Sequence, residues 1–277
     1  MIISVASGKG GTGKTTVAVN LALSLNENIQ FLDCDVEEPN AAIFLKPKIK
    51  KNSPVFIPVP VVDQKKCTHC GKCAAICEYH ALAVLPKETM VFAQLCHGCG
   101  GCTLICPEDA IREKNRKIGV VRTGVCEKNI LFADGILDIG EPMAPPLIRA
   151  VKNKIRENKT VIIDAPPGTS CPVIASVKDS DFCILVTEPT PFGLNDLLLV
   201  VETLRKLKIS FGVVVNRFDI GDEKIYNYCK DENIPIMMQI PFKKEIAVAY
   251  SKGIPIIEAI PEYIKQFEQL FKNIKKG

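Results

Sequence analysis

The stretch Ser7–Thr16, SGKGGTGKTT, decides the fold of this chain. It contains a glycine, four further residues and then Gly-Lys-Thr, which is the pattern of a phosphate-binding loop. The apolar segment Ile2–Ala6 precedes the loop and predicts a strand, and the apolar segment Val17–Leu25 follows it and predicts a packed helix. Because strand, glycine loop and helix occur in the order that the motif needs, a chance glycine-rich turn is much the weaker interpretation.

The glycine loop predicts a site for the phosphates of ATP or ADP. Its glycines let backbone N–H groups turn inward around phosphate oxygens, and the helix N-terminus adds a partial positive charge. We expect Lys14 to contact the β- and γ-phosphates and the Thr15 hydroxyl to hold Mg²⁺. The predicted nucleotide-binding residues of the loop are Gly8, Lys9, Gly10, Gly11, Thr12, Gly13, Lys14, Thr15 and Thr16.

The composition is ordinary for a globular protein, since 47% of the 277 residues are hydrophobic and 24% are charged. No apolar run approaches the ~18 residues of a membrane span. No basic-then-apolar leader precedes the first predicted strand, so we expect a cytoplasmic location. The net charge of +4 is spread along the chain, and we therefore expect no nucleic-acid partner.

The chain has 13 cysteines, which in a cytoplasmic protein indicate metal binding rather than disulfides. Eight of them form an internal repeat with an offset of 29 residues, and each half follows the pattern C-x2-C-x2-C-x3-C. This spacing is typical of bacterial two-cluster ferredoxins, whose fourth cysteine binds the other cluster. We therefore predict two [4Fe–4S] clusters, one on Cys67, Cys70, Cys73 and Cys106, and the other on Cys77, Cys96, Cys99 and Cys102.

A pair of zinc sites is the alternative interpretation of the cysteine repeat. Zinc usually takes its ligands from C-x2-C pairs set well apart, so two tandem four-cysteine runs favour the clusters. Glu78 follows Cys77 where ferredoxins usually have proline, which leaves the ligand set intact. We expect His69 and His97, which lie inside the loops, to be partly exposed and to have no ligand role.

Apolar strand patterns alternate with helical patterns on both sides of the cysteine repeat. The second strand is predicted at Ile29–Asp35, a short helix follows it, and a later helix is expected to begin with Asn195 as its cap. Continuous apolar strands between helices predict an α/β fold of the P-loop NTPase type, with a mostly parallel sheet covered on both faces. The terminal helix is expected to bury Ile264, Phe267, Leu270, Phe271 and Ile274.

The α/β pattern breaks in the Lys- and Pro-rich stretch 46–60, where prolines argue against a regular helix. It resumes after about Lys117. We therefore predict an ATPase domain formed by residues 1–57 and 119–277, and an inserted small α+β domain of the bacterial ferredoxin type at residues 58–118.

Lys9 extends the loop to Lys-Gly-Gly-Thr-Gly-Lys-Thr, which resembles the deviant Walker A motif of the MinD/Mrp/nitrogenase-iron-protein class of P-loop ATPases. Asp33-Cys34-Asp35 is similar to the first switch of that class, and Asp164-Ala-Pro-Pro-Gly-Thr to its Walker B and second switch. Asn216-Arg217 resembles its adenine-reading position, and Ile240-Pro241-Phe242 its base-side loop. The resemblance covers essentially the whole chain. With the cysteine repeat, it points to MinD-superfamily ATPases that contain an inserted ferredoxin domain.

The resemblance implies a role for each matching residue. Lys9 would reach across the interface of a homodimer to the partner's ATP, as an arginine finger does in other phosphoryl-transfer enzymes. Lys14 would hold β- and γ-phosphate oxygens, and Asp35 would orient or deprotonate the attacking water. The implied Mg²⁺ residues are Thr15, Asp33 and Asp164, and the implied base contacts are Asn216, Arg217, Pro241 and Phe242.

Cys171 lies seven residues after Asp164, and nitrogenase iron proteins also place a cluster-binding cysteine shortly after the second-switch aspartate. A further cluster shared between two subunits is thus one interpretation of Cys171 or Cys126. We favour buried structural thiols for both, since free cysteine commonly packs as a small hydrophobic residue. The same burial is expected of Cys34, Cys183 and Cys229.

Together these features favour an ATP-hydrolysing iron–sulfur protein. In the leading hypothesis, ATP-driven closure of a homodimer is coupled to electron transfer through two [4Fe–4S] clusters to a protein partner. The alternative is an iron–sulfur cluster assembly, carrier or regulatory ATPase, in which ATP controls partner binding. A nucleotide-binding module with little turnover is a third possibility.

Overall fold

The computed structural model describes residues 1–276, and its centre is one sheet of nine strands. The strands are β1 (Ile2–Ala6), β2 (Ile29–Asp33), β3 (Lys48–Val62), β4 (Leu82–Val84), β5 (Thr89–Val91), β6 (Ile111–Val125), β7 (Leu131–Leu137), β8 (Thr160–Asp164), β9 (Phe182–Thr187), β10 (Ser210–Asn216) and β11 (Ile236–Ile240). The helices are α1 (Lys14–Ser24), α2 (Ala41–Leu45), α3 (Lys72–Ala75), α4 (Gly101–Ile105), α5 (Ala144–Lys152), α6 (Cys171–Val177), α7 (Pro191–Leu207), α8 (Lys224–Asp231), α9 (Lys244–Ser251), α10 (Ile256–Ala259) and α11 (Tyr263–Lys276).

The strand order of the large sheet is β11-β10-β9-β1-β8-β2-β7-β6-β3. The strands from β11 to β7 pair in parallel, whereas β6 and β3 join the edge antiparallel. Strands β4 and β5 form a separate antiparallel pair beside the cysteines. The predicted α/β fold with a mostly parallel sheet is confirmed.

Helices cover both faces of the sheet, as buried parallel strands require. Helices α1 and α11 pack on one face around Phe31 and Phe132, whose rings stack with centroids 6.3 Å apart. Helices α5 to α8 pack on the other face. The predicted buried face of the terminal helix is confirmed, because Phe267, Leu270, Phe271 and Ile274 are buried and Ile264 packs against them.

The carboxyl ends of the parallel strands bring the predicted site residues to one edge of the sheet. Asp33 at the end of β2 lies directly beside Asp164 at the end of β8. On its other side Asp33 pairs in register with Asp134 of β7. The phosphate-binding loop follows β1, which pairs with β8. Ligands of open α/β sheets bind at this edge, and the topology therefore places a site there.

The Lys- and Pro-rich stretch is the strand β3, and it pairs with β6 from Lys48–Val125 to Val62–Ile111. The absence of a helix agrees with the prolines of the stretch. The stretch forms a strand because β3 is the edge of the sheet and pairs on one side only. An edge strand tolerates prolines, which lack a donor for the ladder.

The two expected domain boundaries fall inside paired strands. Position 57/58 lies within β3, and position 118/119 lies within β6. The fold is continuous across both positions, because β6 also pairs with β7 of the large sheet. The division into two domains stays a prediction.

Two local expectations were wrong. Helix α7 begins at Pro191 rather than after Asn195, and its cap is Thr190, whose hydroxyl accepts a hydrogen bond from the Gly193 N–H. Proline suits the first turn of a helix, so Pro191 marks the start of α7 better than the capping preference of Asn195 does. Strand β2 ends at Asp33, which places Asp35 in the following loop.

Candidate functional site

The phosphate-binding loop adopts a backbone that needs glycine at two positions. Gly11 has φ 79° and Gly13 has φ 96°, both in the left-handed region. Gly13 ends the loop, and α1 begins at Lys14 with no side-chain cap. The free N–H groups of this helix start therefore stay available to an anion.

A cavity of about 400 Å³, open to solvent, lies against the loop. It is large enough for a nucleotide, since ligand cavities are typically about 300–1,000 Å³. The sequence-predicted residues that line it are Gly10, Gly11, Gly13, Lys14, Thr15, Thr16, Asp35, Asn216, Arg217, Pro241 and Phe242. Residues that the sequence did not single out are Glu38, Asn40, Pro167, Lys243, Ile246, Ala247, Tyr250 and Ile256.

Three predicted loop residues lie elsewhere. Gly8, Lys9 and Thr12 line a smaller cavity between the loop and α7. Gly8 packs against α7 so closely that a Cβ on it would lie 2.4 Å from the Cβ of Asp196. This close packing fixes the first half of the loop to α7, while the second half faces the nucleotide-sized cavity.

Lys14 is the buried cation of the site. Burial lowers its pKa, and the carboxylates of Asp164, Asp35 and Asp33 oppose that shift. Burial in turn raises the pKa of Asp35 to about 6 and that of Asp164 to about 7. The pKa of Asp33 is also raised, first by burial and then by the charge of Asp164. One buried lysine thus faces three carboxylates, and a further cation would relieve their repulsion.

Asp33 and Asp164 differ in how their oxygens are used. Asp33 accepts hydrogen bonds from the backbone N–H groups of Asp35, at 3.1 Å, and Ala41, at 3.0 Å. It therefore holds the loop that carries Asp35. Among residues 1–276, neither carboxylate oxygen of Asp164 forms a hydrogen bond of normal geometry, although the Thr15 hydroxyl is close enough to favour its charged form. These unpartnered oxygens fit a hydrated Mg²⁺ ion.

Asn216, the predicted adenine reader, supports the phosphate-binding loop. Its Nδ2 donates to the carbonyl of Thr12 at 2.8 Å, and its Oδ1 accepts from the N–H of Arg217 at 3.0 Å. A Cβ on Gly13 would lie 2.6 Å from this Nδ2. The side chain also lines the large cavity, so it connects the base end of the cavity with the loop.

Glu188, which follows β9, is a charged residue of this edge that the sequence did not reveal. Its side chain is 8% exposed and lies between two cations. Its carboxylate is 3.8 Å from Lys9 Nζ and 2.7 Å from Arg217 Nη1. The Arg217 guanidinium also lies over the ring of Phe242, at 5.9 Å from its centroid. Only the fold brings these four residues together, because they follow four different strands.

A second buried ion pair joins the carboxylate edge to the long β3–β6 ribbon. Asp134 is fully buried, and both of its oxygens accept hydrogen bonds from the guanidinium of Arg122 on β6. Asp134 is the register partner of Asp33. The strand that returns from the cysteines is therefore tied directly to the row of aspartates.

The first predicted cysteine set lies around one cavity. Cys67, Cys70, Cys73 and Cys106 all line one small cavity of about 20 Å³, and Cys77 does not. The structure thus places Cys106 of the second repeat with three cysteines of the first, as the crossed pattern predicts. Cys67 Sγ also lies 3.3 Å from the Thr89 hydroxyl.

In the second predicted set, the pKa shifts indicate that Cys77 lies near the cysteines of the other repeat. Burial raises the pKa of Cys96, and the nearby thiols of Cys99 and Cys77 raise it further. Burial also raises the pKa of Cys102, with a further contribution from Cys96. Cys77 of the first repeat therefore lies with the cysteines of the second.

The sequence repeat is also a structural repeat. Gly71 and Gly100 both adopt left-handed backbone, with φ 78° and 74°, and each precedes a short helix. The N–H of Ala81 donates to Cys77 Sγ at 3.3 Å, and the N–H of Ala110 donates to Cys106 Sγ at 3.4 Å. N–H donors of this kind stabilise thiolates.

The predicted histidine positions are confirmed as at least partly exposed. His69 is half-buried, and His97 is exposed and stacks on Tyr79 with ring centroids 3.4 Å apart. Within residues 1–276, no three His, Cys, Asp or Glu side chains are grouped tightly enough for a single metal ion. Over the same residues no helix is both long and apolar enough to span a bilayer.

The scattered cysteines behave as expected with one exception. Cys34, Cys126, Cys183 and Cys229 are buried, and burial raises their pKa values. The expectation of a buried thiol was wrong for Cys171, which is exposed at the first residue of α6. The apolar residues after it, not Cys171, turn toward the core.

A family model described as the CobQ/CobB/MinD/ParA nucleotide binding domain matches residues 3–256. The chain belongs to this family. It is a P-loop ATPase of the MinD/ParA type, and the strand, loop and helix that begin the chain are the nucleotide-binding element of that fold.

Several relatives align along nearly the whole chain. An uncharacterized protein of Methanocaldococcus jannaschii is 31% identical and covers 100% of this chain and 97% of its own length. An iron-sulfur cluster carrier protein of Pyrococcus horikoshii is 25% identical and covers 99% of this chain and 86% of its own length. The relatives of the chain therefore include a protein named for cluster carriage.

The solved structures that resemble the chain share its fold. The septum site-determining protein MinD of Pyrococcus horikoshii, complexed with Mg-ADP, superposes with a TM-score of 0.59 at 20% identity. That alignment covers 99% of this chain and 96% of the MinD chain. At this identity the comparison shows the common fold, and a Mg²⁺–nucleotide complex is known for that fold.

Proposed function

We propose that this ATPase carries two [4Fe–4S] clusters on its eight repeated cysteines, and that its nucleotide cycle controls how a protein partner gains access to them. The crossed grouping of Cys67, Cys70, Cys73 and Cys106 around one cavity carries the proposal. The relatives named as cluster carriers support a carrier or regulatory role over ATP-gated electron transfer, which the sequence alone had placed first.

The nucleotide half of the proposal rests on the large cavity. Lys14 would hold the β- and γ-phosphates, and Thr15 would hold Mg²⁺, with Asp33 and Asp164 supporting the ion through water. Asp35 lines the cavity and would orient or deprotonate the attacking water. Arg217, Pro241 and Phe242 would contact the base, with Asn216 between base and loop.

The homodimer of the proposal rests on Lys9. This lysine lies outside the nucleotide cavity of its own subunit, on the side of α7. A cation placed there could complete the site of a second copy when two subunits close over ATP. Such a residue acts as an arginine finger does, by neutralising charge that develops during phosphoryl transfer.

The cysteines fit clusters in number, spacing and environment. Each set offers four sulfurs, and Cys77 and Cys106 already accept N–H···S hydrogen bonds. Four-iron clusters supply single-electron chemistry and require thiolate ligands. The raised pKa values of Cys73, Cys96 and Cys102 mean that these thiols must lose protons when a cluster binds.

Iron and acid-labile sulfide measured after anaerobic purification test the cluster proposal. We expect two four-iron clusters per chain, and we expect Cys70→Ser to remove about half of both elements. Cys171→Ser is the matched control, because that cysteine is exposed and belongs to neither set. Zinc in place of iron, or equal losses in both variants, would overturn the assignment.

Electron transfer remains a second candidate because Cys73, Cys96 and Cys102 are buried, which suits clusters that stay on the protein. A labelled-iron experiment separates the two candidates. A carrier transfers labelled iron to an apo-acceptor protein in an ATP-dependent manner. An electron-transfer protein keeps its iron through repeated ATP turnover, and ATP shifts its cluster potential, by about 59 mV for each tenfold change in the one-electron equilibrium.

A further inference from the structure

The backbone of Glu188 is held in the turn just before α7. The backbone carbonyl of Glu188 accepts a hydrogen bond from the Thr190 N–H at 2.7 Å. Gly193 packs on the same carbonyl, where a Cβ would lie 2.2 Å away. The N–H of Gly193 in turn bonds to the hydroxyl of Thr190 at 3.0 Å. The turn that carries Glu188 therefore has little freedom to move.

The two cations beside Glu188 are more exposed than the carboxylate. The side chains of Lys9 and Arg217 are 33% and 41% exposed, against 8% for Glu188. The backbone of Lys9 is fixed, because its carbonyl accepts the Ser7 hydroxyl at 2.6 Å. Only the long side chain of Lys9 is thus free to leave the carboxylate.

A buried carboxylate needs at least one cationic partner, because an unpaired buried charge is costly. Glu188 has two partners, and they are unequal. Arg217 Nη1 forms a close ion pair with Oε1 of Glu188 at 2.7 Å, without hydrogen-bond geometry, whereas Lys9 Nζ is 3.8 Å from Oε2. Lys9 can therefore depart while Arg217 continues to neutralise Glu188.

We propose that Glu188 is a positioning residue that holds Lys9 against its own subunit until a second copy carrying ATP draws the lysine away. This inference rests on the proposed role of Lys9 across a homodimer. Arg217 connects the Glu188–Lys9 pair to the nucleotide, because Arg217 lines the nucleotide cavity and lies over the ring of Phe242. A base bound there keeps Arg217 near Glu188, and Lys9 is then the partner that is released.

The test measures ATP hydrolysis as a function of protein concentration for Glu188→Gln. Without the carboxylate, Lys9 is no longer held. We expect the protein concentration that gives half-maximal specific activity to fall about fivefold or more. The protein concentration at which half of the chains are dimeric with ATP, measured by sedimentation, should fall by a similar factor. Glu232→Gln is the matched control, since Glu232 pairs with Arg205 on the surface, far from the site in the fold.

A double-mutant cycle separates positioning from a structural effect. In a Lys9→Ala background, Glu188→Gln should no longer change the concentration dependence. An unchanged dependence in the single variant, or the same change in both backgrounds, overturns the proposal. Should Glu188→Gln fail to fold, Glu188→Asp keeps the charge but shortens the reach, and it too must lower the half-maximal concentration.

The failure of the proposed function has a different signature. If Lys9→Ala alone leaves ATP hydrolysis and dimerisation unchanged, the role of Lys9 across the dimer is wrong. If Lys9→Ala abolishes concentration-dependent activity but Glu188→Gln has no effect, only the positioning role of Glu188 is wrong.

Discussion

The nucleotide edge and the cysteine-rich unit, residues 63–110, are built in opposite ways. The nucleotide edge lies on a nine-stranded sheet whose faces are covered by three large hydrophobic clusters. The cysteine-rich unit packs around a small cluster of four buried residues, Cys73, Leu82 and Cys102 together with Ile111 of β6 at its border, and two of the four are predicted ligands. The fold shapes the first site without a ligand, whereas under the cluster proposal we expect the second site to depend on what its sulfurs bind.

The largest effect that tests this contrast is the removal of iron. Without clusters, we expect the cysteine-rich unit to lose its protection from proteases, because metal binding contributes free energy of folding on the order of 10 kcal/mol in small metal-dependent domains. Limited proteolysis before and after anaerobic chelation measures this loss. Cleavage within residues 119–276 is the internal control, and protection of the unit that survives chelation would contradict the contrast.

Lys14→Ala is expected to remove ATP hydrolysis with little effect on iron content. The substitution leaves three carboxylates without their buried cation and removes a contact to the phosphates. We expect kcat to fall by about 100-fold or more. Phosphate release and ADP titration measure the loss, with Lys224→Ala, an exposed lysine paired with Asp222, as the control. Activity near that of the unchanged protein would show that Lys14 does not contribute to ATP hydrolysis.

Asp164→Asn should stabilise the nucleotide-free protein at high pH. Burial raises the folded pKa of Asp164 to about 7, above the ~3.9 of an unfolded aspartate. Between these values the folded chain binds the proton more tightly, so its stability falls as the pH rises. We expect the variant to gain on the order of 1–3 kcal/mol in free energy of unfolding near pH 8, and less near pH 5.

Urea unfolding in the absence of Mg²⁺ measures this gain. The control is Asp138→Asn, because Asp138 pairs with Lys117 at the exposed surface. If Asp164→Asn instead lowers the stability at high pH, the charged carboxylate of Asp164 is stabilised by its neighbours in the nucleotide-free protein, and the prediction is wrong.

The smallest expected effect concerns the cap of α7. Thr190→Ala removes the hydroxyl that accepts the Gly193 N–H, and we expect it to cost about 1 kcal/mol of stability. Thr203→Ala is the matched control, because that hydroxyl bonds to a carbonyl on the exposed side of the same helix. Equal effects would show that the cap adds nothing to the scaffold of the nucleotide edge.

The motifs that were predictable from sequence are those whose chemistry is local. The phosphate-binding loop places its glycines, Lys14 and Thr15 within a few residues of each other. Such residues are joined by a short stretch of backbone, so their spacing in the sequence largely determines their positions in space.

The unpredicted features depend on tertiary context. The strand β3 is rich in proline, and only its place at the edge of the sheet makes that composition acceptable. Glu188 lies beside Lys9 because β9 and β1 are neighbours in the sheet, although 179 positions separate the two residues along the chain. The order of the strands in the sheet therefore brings Glu188 and Lys9 together, which the local sequence pattern does not indicate.

The β3–β6 ribbon leaves the cysteine-rich unit without a flexible linker. Both connections to the unit are strands that also close one edge of the large sheet. Val62 and Ile111 are register partners at the point where the ribbon meets the unit. A chain without residues 63–110 would therefore keep both strands paired and could close them with a short turn, so the unit lies at a position where an insertion leaves the rest of the sheet intact.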